Sequence, residues 1–325
     1  MTHPHTHEHH PHSGQHDRPG HGPAPEGDTG LAEILDLDAA LGAPVMAAAL
    51  DAASRALDAA PHSVVDLGAG TGTGTLALAT RFPDAQIHSL DASATMLDRL
   101  GAVAASAGVA DRVRTHLVDL DADWPDVVPG AADLAWAALS LHHVSDPARV
   151  LRQAWGALRP GGVLVVTEFT GATTYDPADL GTGRDGLGPR LVAVLAAHGY
   201  PVTAEWTADL GAVGFAPVER HETALTATGR TTDGARYLAL QLSMNRARLT
   251  QDLSAADLAA LDAAIASLEA RTSEVVLSSG RAFWVAVRPA GDEAVTAHDH
   301  SDREHADHEP TDHADHADHQ HGTRR

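Results

Sequence analysis

Ser63-Val64-Val65-Asp66-Leu67-Gly68-Ala69-Gly70-Thr71-Gly72-Thr73-Gly74-Thr75 constrains this chain more than any other stretch. It opens as a short apolar run with β-branched residues, the pattern of a buried strand. It then breaks into alternating glycines and continues as Leu76-Ala77-Leu78-Ala79, which reads as a helix. Strand, glycine turn and helix form the first half of a nucleotide-binding βαβ unit. The glycines let the backbone pass close to a ligand, and the helix turns its free N–H groups and positive dipole end toward it.

The glycine spacing discriminates between cofactors. A dinucleotide fingerprint requires G-x-G-x-x-G, whose third glycine lets helix and strand pack closely. Counted from Gly68 and Gly70 that third position is Thr73, and counted from Gly70 and Gly72 it is Thr75, so neither register fits an NAD-dependent oxidoreductase. The pattern present is D-x-G-x-G-x-G, Asp66 to Gly72. It resembles motif I of the class I S-adenosylmethionine (SAM) methyltransferases. The resemblance implies that Asp66 lies near the amino-acid part of SAM, flanked by Gly68, Ala69, Gly70, Thr71 and Gly72.

Composition narrows the alternatives. With a formal charge of −22 over 325 residues, the chain offers no basic face to nucleic acid. It has no Cys, which excludes disulfides, Fe–S clusters and thiol nucleophiles. All 22 basic residues are Arg; without Lys, PLP and P-loop chemistry are excluded. No apolar run is long enough to span a bilayer and the N-terminus lacks a signal-peptide core, so a cytoplasmic enzyme without a membrane partner is expected.

Both ends differ from the middle. Residues 1–30 are rich in Pro, Gly and His, and residues 291–325 repeat His, Asp and Ala; each segment holds eight of the 23 His. Neither has enough apolar surface to offset its ordering entropy, so both read as disordered tails around a folded domain at 31–290. Interspersed imidazoles suit divalent transition metals such as Zn²⁺, Ni²⁺ or Cu²⁺. A second functional reading follows: a metal-binding protein whose tails are the active part on a SAM-binding scaffold.

Helical spacing of Leu31, Ile34 and Leu35, and of Met46, Leu50, Ala53 and Leu57, predicts helices before the first strand. Gln86–Leu90 reads as a second strand closed by Asp91, 19 residues after Gly72. That is the place of an acid that accepts from ribose hydroxyls; the other role open to Asp91, or to Ser93, is to cap the next helix. Val113–Val118 alternates as a third strand, 132–139 is a fourth, and 163–168 a fifth ending at Glu168. Asp146-Pro147 is an N-cap followed by proline at the first helical position. Residues 171–188 read as a polar, Gly-rich loop. Helices near 189–199 and 203–212, a strand within 214–225, two further helices and a last strand at 282–287 complete the pattern. Ser254-Ala255-Ala256-Asp257 is a capping box opening the second of those two helices.

The stretches "LHHVSDP" and "LRPGGVLVV" resemble the later motifs of small-molecule SAM methyltransferases, and "GRAFWVAVRP" after a helical insert is similar to the trans-aconitate methyltransferase-like group. The resemblance covers about residues 31–289. It implies an α/β, Rossmann-like, seven-stranded and mostly parallel sheet with helices on both faces, its last strand antiparallel, and N-terminal helices capping the acceptor site. It also implies that Asp91 and Ala92 meet the ribose, that Met96 touches the adenine, and that Asp119 receives the adenine amino group while Leu120 offers its N–H to the ring. Asp121 is the other candidate for the Asp119 role, and the core is the other place for Met96.

The chemistry expected is in-line transfer of the SAM methyl group to a small-molecule acceptor. Alignment of the two partners supplies most of the effect, roughly 7–11 kcal/mol. If the acceptor must lose a proton, His142, His143 and Glu168 are the candidate bases; for the histidines the alternative is to shape the pocket floor. If it is a carboxylate no base is needed, and Arg236, Arg246 or Arg248 are candidates to hold it, against an ordinary surface role.

Overall fold

Val64, Val65, Asp66 and Leu67 are all buried, because the first strand is covered on both faces and has no solvent side to alternate with. The computed structural model describes residues 28–201, 203 and 205–291. In chain order the elements are α1 (Asp28–Leu41), α2 (Ala43–Ala56), β1 (Ser63–Leu67), α3 (Thr73–Arg81), β2 (Gln86–Asp91), α4 (Ala94–Ser106), β3 (Val113–Leu117) and β4 (Ala132–Ala138). They continue as α5 (Pro147–Ala157), β5 (Leu158–Asp176), α6 (Leu187–Ala197), α7 (Thr207–Val213), β6 (Val218–Thr228), α8 (Thr232–Arg248), α9 (Ala255–Glu269) and β7 (Val276–Val287). The expectation of disordered, metal-binding tails falls almost wholly outside the described residues; residues 28–30 belong to α1.

The strands form one seven-stranded sheet in the order β3-β2-β1-β4-β5-β7-β6. The pairs from β3 across to β5 are parallel, and β7 runs antiparallel to both β5 and β6. Four apolar clusters lie among the described residues, the smallest packing Leu97 and Leu100 of α4 against Val113 and Ala69. Leu151, Ala154, Leu210 and Trp284 belong to one, built on α5 and α7. Leu50, Ala53, Leu78 and Val165 belong to another, built on α2 and α3. A third joins α6, α8 and α9 to the ends of β5, β6 and β7 through Tyr175, Leu238, Leu261 and Leu277. Among the described residues no helix is long and apolar enough to cross a membrane.

The caps form as their residues dictate. Asp146 accepts from the Arg149 N–H at 3.0 Å, and Ser254 from the Asp257 N–H at 3.1 Å. One expectation is corrected. The polar stretch opening at residue 171 is not loop throughout: Thr173, Thr174, Tyr175 and Asp176 pair with Ser279, Ser278, Leu277 and Val276. β-branched and aromatic side chains fit a pleated surface whatever their polarity, and only the register shift between Phe169 and Thr173 breaks the ladder. β7 likewise starts at Val276 rather than at residue 282.

Candidate active site

The strand order turns back between β1 and β4, and that switch point opens a crevice at the carboxyl ends of the parallel strands. A cavity of about 510 Å³ lies there. One end is built from the glycine turn, Asp91–Ser93, Met96 and Asp119–Asp121. The other is built from α1 and α2 together with Thr167 and Arg281; Ala138–Ser140 and His143 also line the wall, with Ser140 lying against Gly68. Of the sequence-predicted residues, Gly68, Ala69, Gly70, Thr71, Asp91, Ala92, Met96, Asp119, Leu120 and His143 line the cavity; Asp66, Gly72 and His142 do not.

Two glycines show why the turn has this sequence. At Gly68 a Cβ would stand 2.5 Å from the Ser140 Cβ, so the ends of β1 and β4 close up only without a side chain. Gly70, at φ +53°, has no atom within 4 Å of the position a Cβ would take and lies open to the cavity. Gly72 has a different task from the one expected. A Cβ there would come within 2.8 Å of the Leu100 side chain, so this glycine lets the turn pack on α4.

The carboxylates sort by what occupies them. Asp91 accepts the Gly70 N–H on one oxygen and the Ser93 N–H on the other, each at 2.8 Å, and so ties the turn to the start of α4. The helix cap proper is Ser93, which accepts from the Met96 N–H. Asp121 takes the N–H groups of Ser145 and Asp146, which hold its carboxyl below the usual range against the opposing effect of burial. Asp119 accepts the Asp121 N–H at 2.9 Å and stays exposed at the cavity edge. Asp66 is sealed in behind the turn, accepting the Thr75 hydroxyl at 2.7 Å. Burial first, and the nearby Asp91 charge second, push its carboxyl up to about 7 against the Thr75 hydrogen bond.

After β4 the backbone takes a left-handed conformation at Leu139, φ +55°, whose N–H donates to the Thr167 carbonyl. A short 3-10 turn then carries His142 and His143. His142 Nδ1 lies 2.6 Å from Glu168 Oε2, while Glu168 Oε1 accepts the Leu141 N–H. Glu168, 1% exposed, thus braces His142 from beneath, and the His142 ring packs 4.0 Å from that of His143.

None of the three arginines singled out from the sequence reaches the cavity. Arg236 pairs with Glu33, Arg246 with Asp262, and Arg248 covers the Tyr200 ring. The arginine that does is Arg281 on β7, 3% exposed, donating to Asp38 and Ser279 and lying 4.0 Å over the Phe169 ring. The available signal was a lone charge inside the apolar run of "GRAFWVAV".

Residues 65–164 match the family model described as a methyltransferase domain. Over 105 residues the chain is 40% identical to a trans-aconitate 2-methyltransferase of Deinococcus radiodurans, covering 32% of this chain and 36% of that protein. Over 107 residues it is 35% identical to a 27-O-demethylrifamycin SV methyltransferase of Amycolatopsis mediterranei, covering 33% and 38%. The chain thus spans little more than a third of the length of the curated relatives it matches. Among solved structures, an O-methyltransferase family protein from Burkholderia thailandensis aligns at 16% identity and a TM-score of 0.46, covering 78% of this chain and 58% of that one. With the seven-stranded sheet and the glycine turn around it, residues 65–164 are a methyltransferase domain of the class I SAM-dependent type.

Proposed function

We propose that the chain transfers the methyl group of SAM to a small-molecule acceptor. The observation that carries this reading is Gly70, open to the cavity in a left-handed turn with the Asp91 carboxylate bonded to its N–H. A ligand can approach that backbone closely, and no side chain stands in its place. The donor set also suits the cofactor's charge. Asp91, Asp119 and Asp121 line this end with no described arginine among them, which favours a ligand whose sulfonium and ammonium outweigh its single carboxylate.

In this reading Gly68–Thr71 receive the methionine part, Asp91 and Ala92 the ribose, and Met96, Asp119 and Leu120 the adenine. Bound there, SAM supplies a sulfonium-activated methyl group for in-line displacement. The protein's share is to align the acceptor and exclude water, with α1 and α2 forming the wall through Leu35, Ala39, Val45 and Met46. His143, which lines the cavity, is the group placed to accept a proton from the acceptor; His142, braced by Glu168, positions it through their ring contact. The relatives' names point to unlike acceptors, trans-aconitate and 27-O-demethylrifamycin SV, so the domain they share leaves the acceptor open.

Calorimetry with SAM and S-adenosylhomocysteine (SAH) tests the proposal. The wild-type chain should bind both, and Gly70→Val, with its Cβ directed into the ligand space, should bind neither while keeping its circular dichroism spectrum. Tight binding by the folded variant would overturn the reading.

A further inference from the structure

The acceptor end of the cavity carries a polar atom that the fold does not use. Thr167 lines the cavity near the end of β5, is 8% exposed, and its Oγ1 is buried with no hydrogen-bond partner. Such an orphan is costly to keep buried, and a bound ligand recovers that cost by completing the bond. The register places Thr167 opposite Phe283 and Phe169 opposite Arg281. Successive odd positions share one face of a strand, so Thr167 and Arg281 look into the same space under α1 and α2.

The charge at this end is already balanced. Arg281 donates to Asp38 Oδ1 at 2.8 Å, and the same oxygen accepts the Tyr237 hydroxyl at 2.8 Å. Arg281 also donates to Ser279 Oγ, and the Phe169 ring covers its guanidinium. The wall of the same cavity carries the aliphatic side chains of Leu35, Ala39, Val45, Met46 and Val144. A carboxylate brought beside Arg281 also meets Asp38, and an ammonium brought beside Asp38 also meets Arg281. Neither finds a free counter-ion to repay its lost hydration.

We propose that this end takes a neutral, largely apolar acceptor with one oxygen that receives the Thr167 O–H, and that the Asp38–Arg281 pair discriminates against carboxylates and amines. The proposal rests on the methyl-transfer reading above, which assigns the other end of the cavity to SAM.

Three probes with one apolar body, phenylbutanol, phenylbutanoate and phenylbutylamine, isolate the head-group preference. Each is titrated by calorimetry into the full chain saturated with SAH. The alcohol should bind at least about tenfold more tightly than either charged probe, since they lose hydration without a partner. Thr167→Val, close in shape, should weaken the alcohol by about fivefold, the worth of one neutral hydrogen bond, and leave SAH affinity unchanged. Asp38→Asn, which leaves the Arg281 charge uncompensated, should raise affinity for phenylbutanoate by about tenfold. Strongest wild-type binding of the acid or the amine would overturn the proposal. So would an unaltered alcohol affinity in folded Thr167→Val, or no binding of any probe to the SAH complex. Failure of SAH itself to bind would instead refute the methyl-transfer reading, and the proposal with it.

Discussion

Asp66 should make the fold less stable as pH rises through neutrality, the reverse of the usual effect of a carboxylate. Its side chain is 2% exposed, and burial raises its carboxyl from 3.8 to about 7. Between those values the folded chain holds a proton that the unfolded chain has released, so stability falls with each step upward in pH. At 1.36 kcal/mol per unit, integrating from about pH 5 to about pH 8 removes about 2.5 kcal/mol. Asp66→Asn isolates this contribution, because the amide oxygen still accepts from Thr75 and nothing ionises. Urea denaturation of both proteins at intervals across that range gives the assay, and subtracting the two curves cancels every other titrating group. The advantage of the variant should widen by about 2.5 kcal/mol from the acid to the alkaline end of that range and level off near pH 8. A difference that does not change with pH would refute the reasoning.

Asp91→Ala should weaken SAM binding by about 1.5–3 kcal/mol, the worth of hydrogen bonds to a charged group, and unchanged calorimetric affinity in the folded variant would remove Asp91 from the site. His88 and His116 lie 3.1 Å apart, and burial lowers both. Because the unfolded chain takes up their protons first, stability should drop as pH falls below about 6.5, and thermal melts of His116→Gln should show a shallower acid limb. Ser254→Ala should cost about 1 kcal/mol in chemical denaturation by exposing the first turn of α9, with no change in SAM affinity. A Zn²⁺ titration of the full chain should saturate above one ion and fade below about pH 6.5, and equal binding by residues 29–291 alone would place the metal in the folded core.

The apolar runs of β1, β4 and β5 could be read because a strand buried on both faces leaves nothing else for its residues to be. That the glycine turn, Asp91 and Asp119 would meet in one cavity was legible for a similar reason: each sits within a few residues of a strand end, so position along the chain gives position in space. Two things escaped. Gly72 reads like a ligand-facing glycine, yet its constraint comes from Leu100 on a helix 28 residues later, a contact that spacing does not encode. Arg281 meets Asp38 across 243 residues, and its place in an apolar run hints at burial but not at that partner, while Arg236 and Arg246 satisfy their charges at the surface. The extension of β5 was hidden by its threonines, whose polarity suggested loop while their branching favoured the ladder with β7.

The same sorting bears on the two adjacent histidines, which no sequence pattern tells apart. A carboxylate only accepts hydrogen bonds, and Glu168 spends one oxygen on the Leu141 N–H and the other on His142 Nδ1. His142 is thereby fixed in tautomer and orientation while lying outside the cavity wall. His143, one residue on, is exposed and lines the cavity. A base must reach the proton it removes before its basicity matters, so the proposed methyl transfer would draw on His143 as its base and leave His142 to hold the turn. The buried end of this chain, Glu168, lies next in sequence to Thr167, which lines the acceptor chamber. Consecutive residues of β5 point to opposite faces, so one strand end braces the histidine turn with Glu168 and offers a hydroxyl to the acceptor with Thr167.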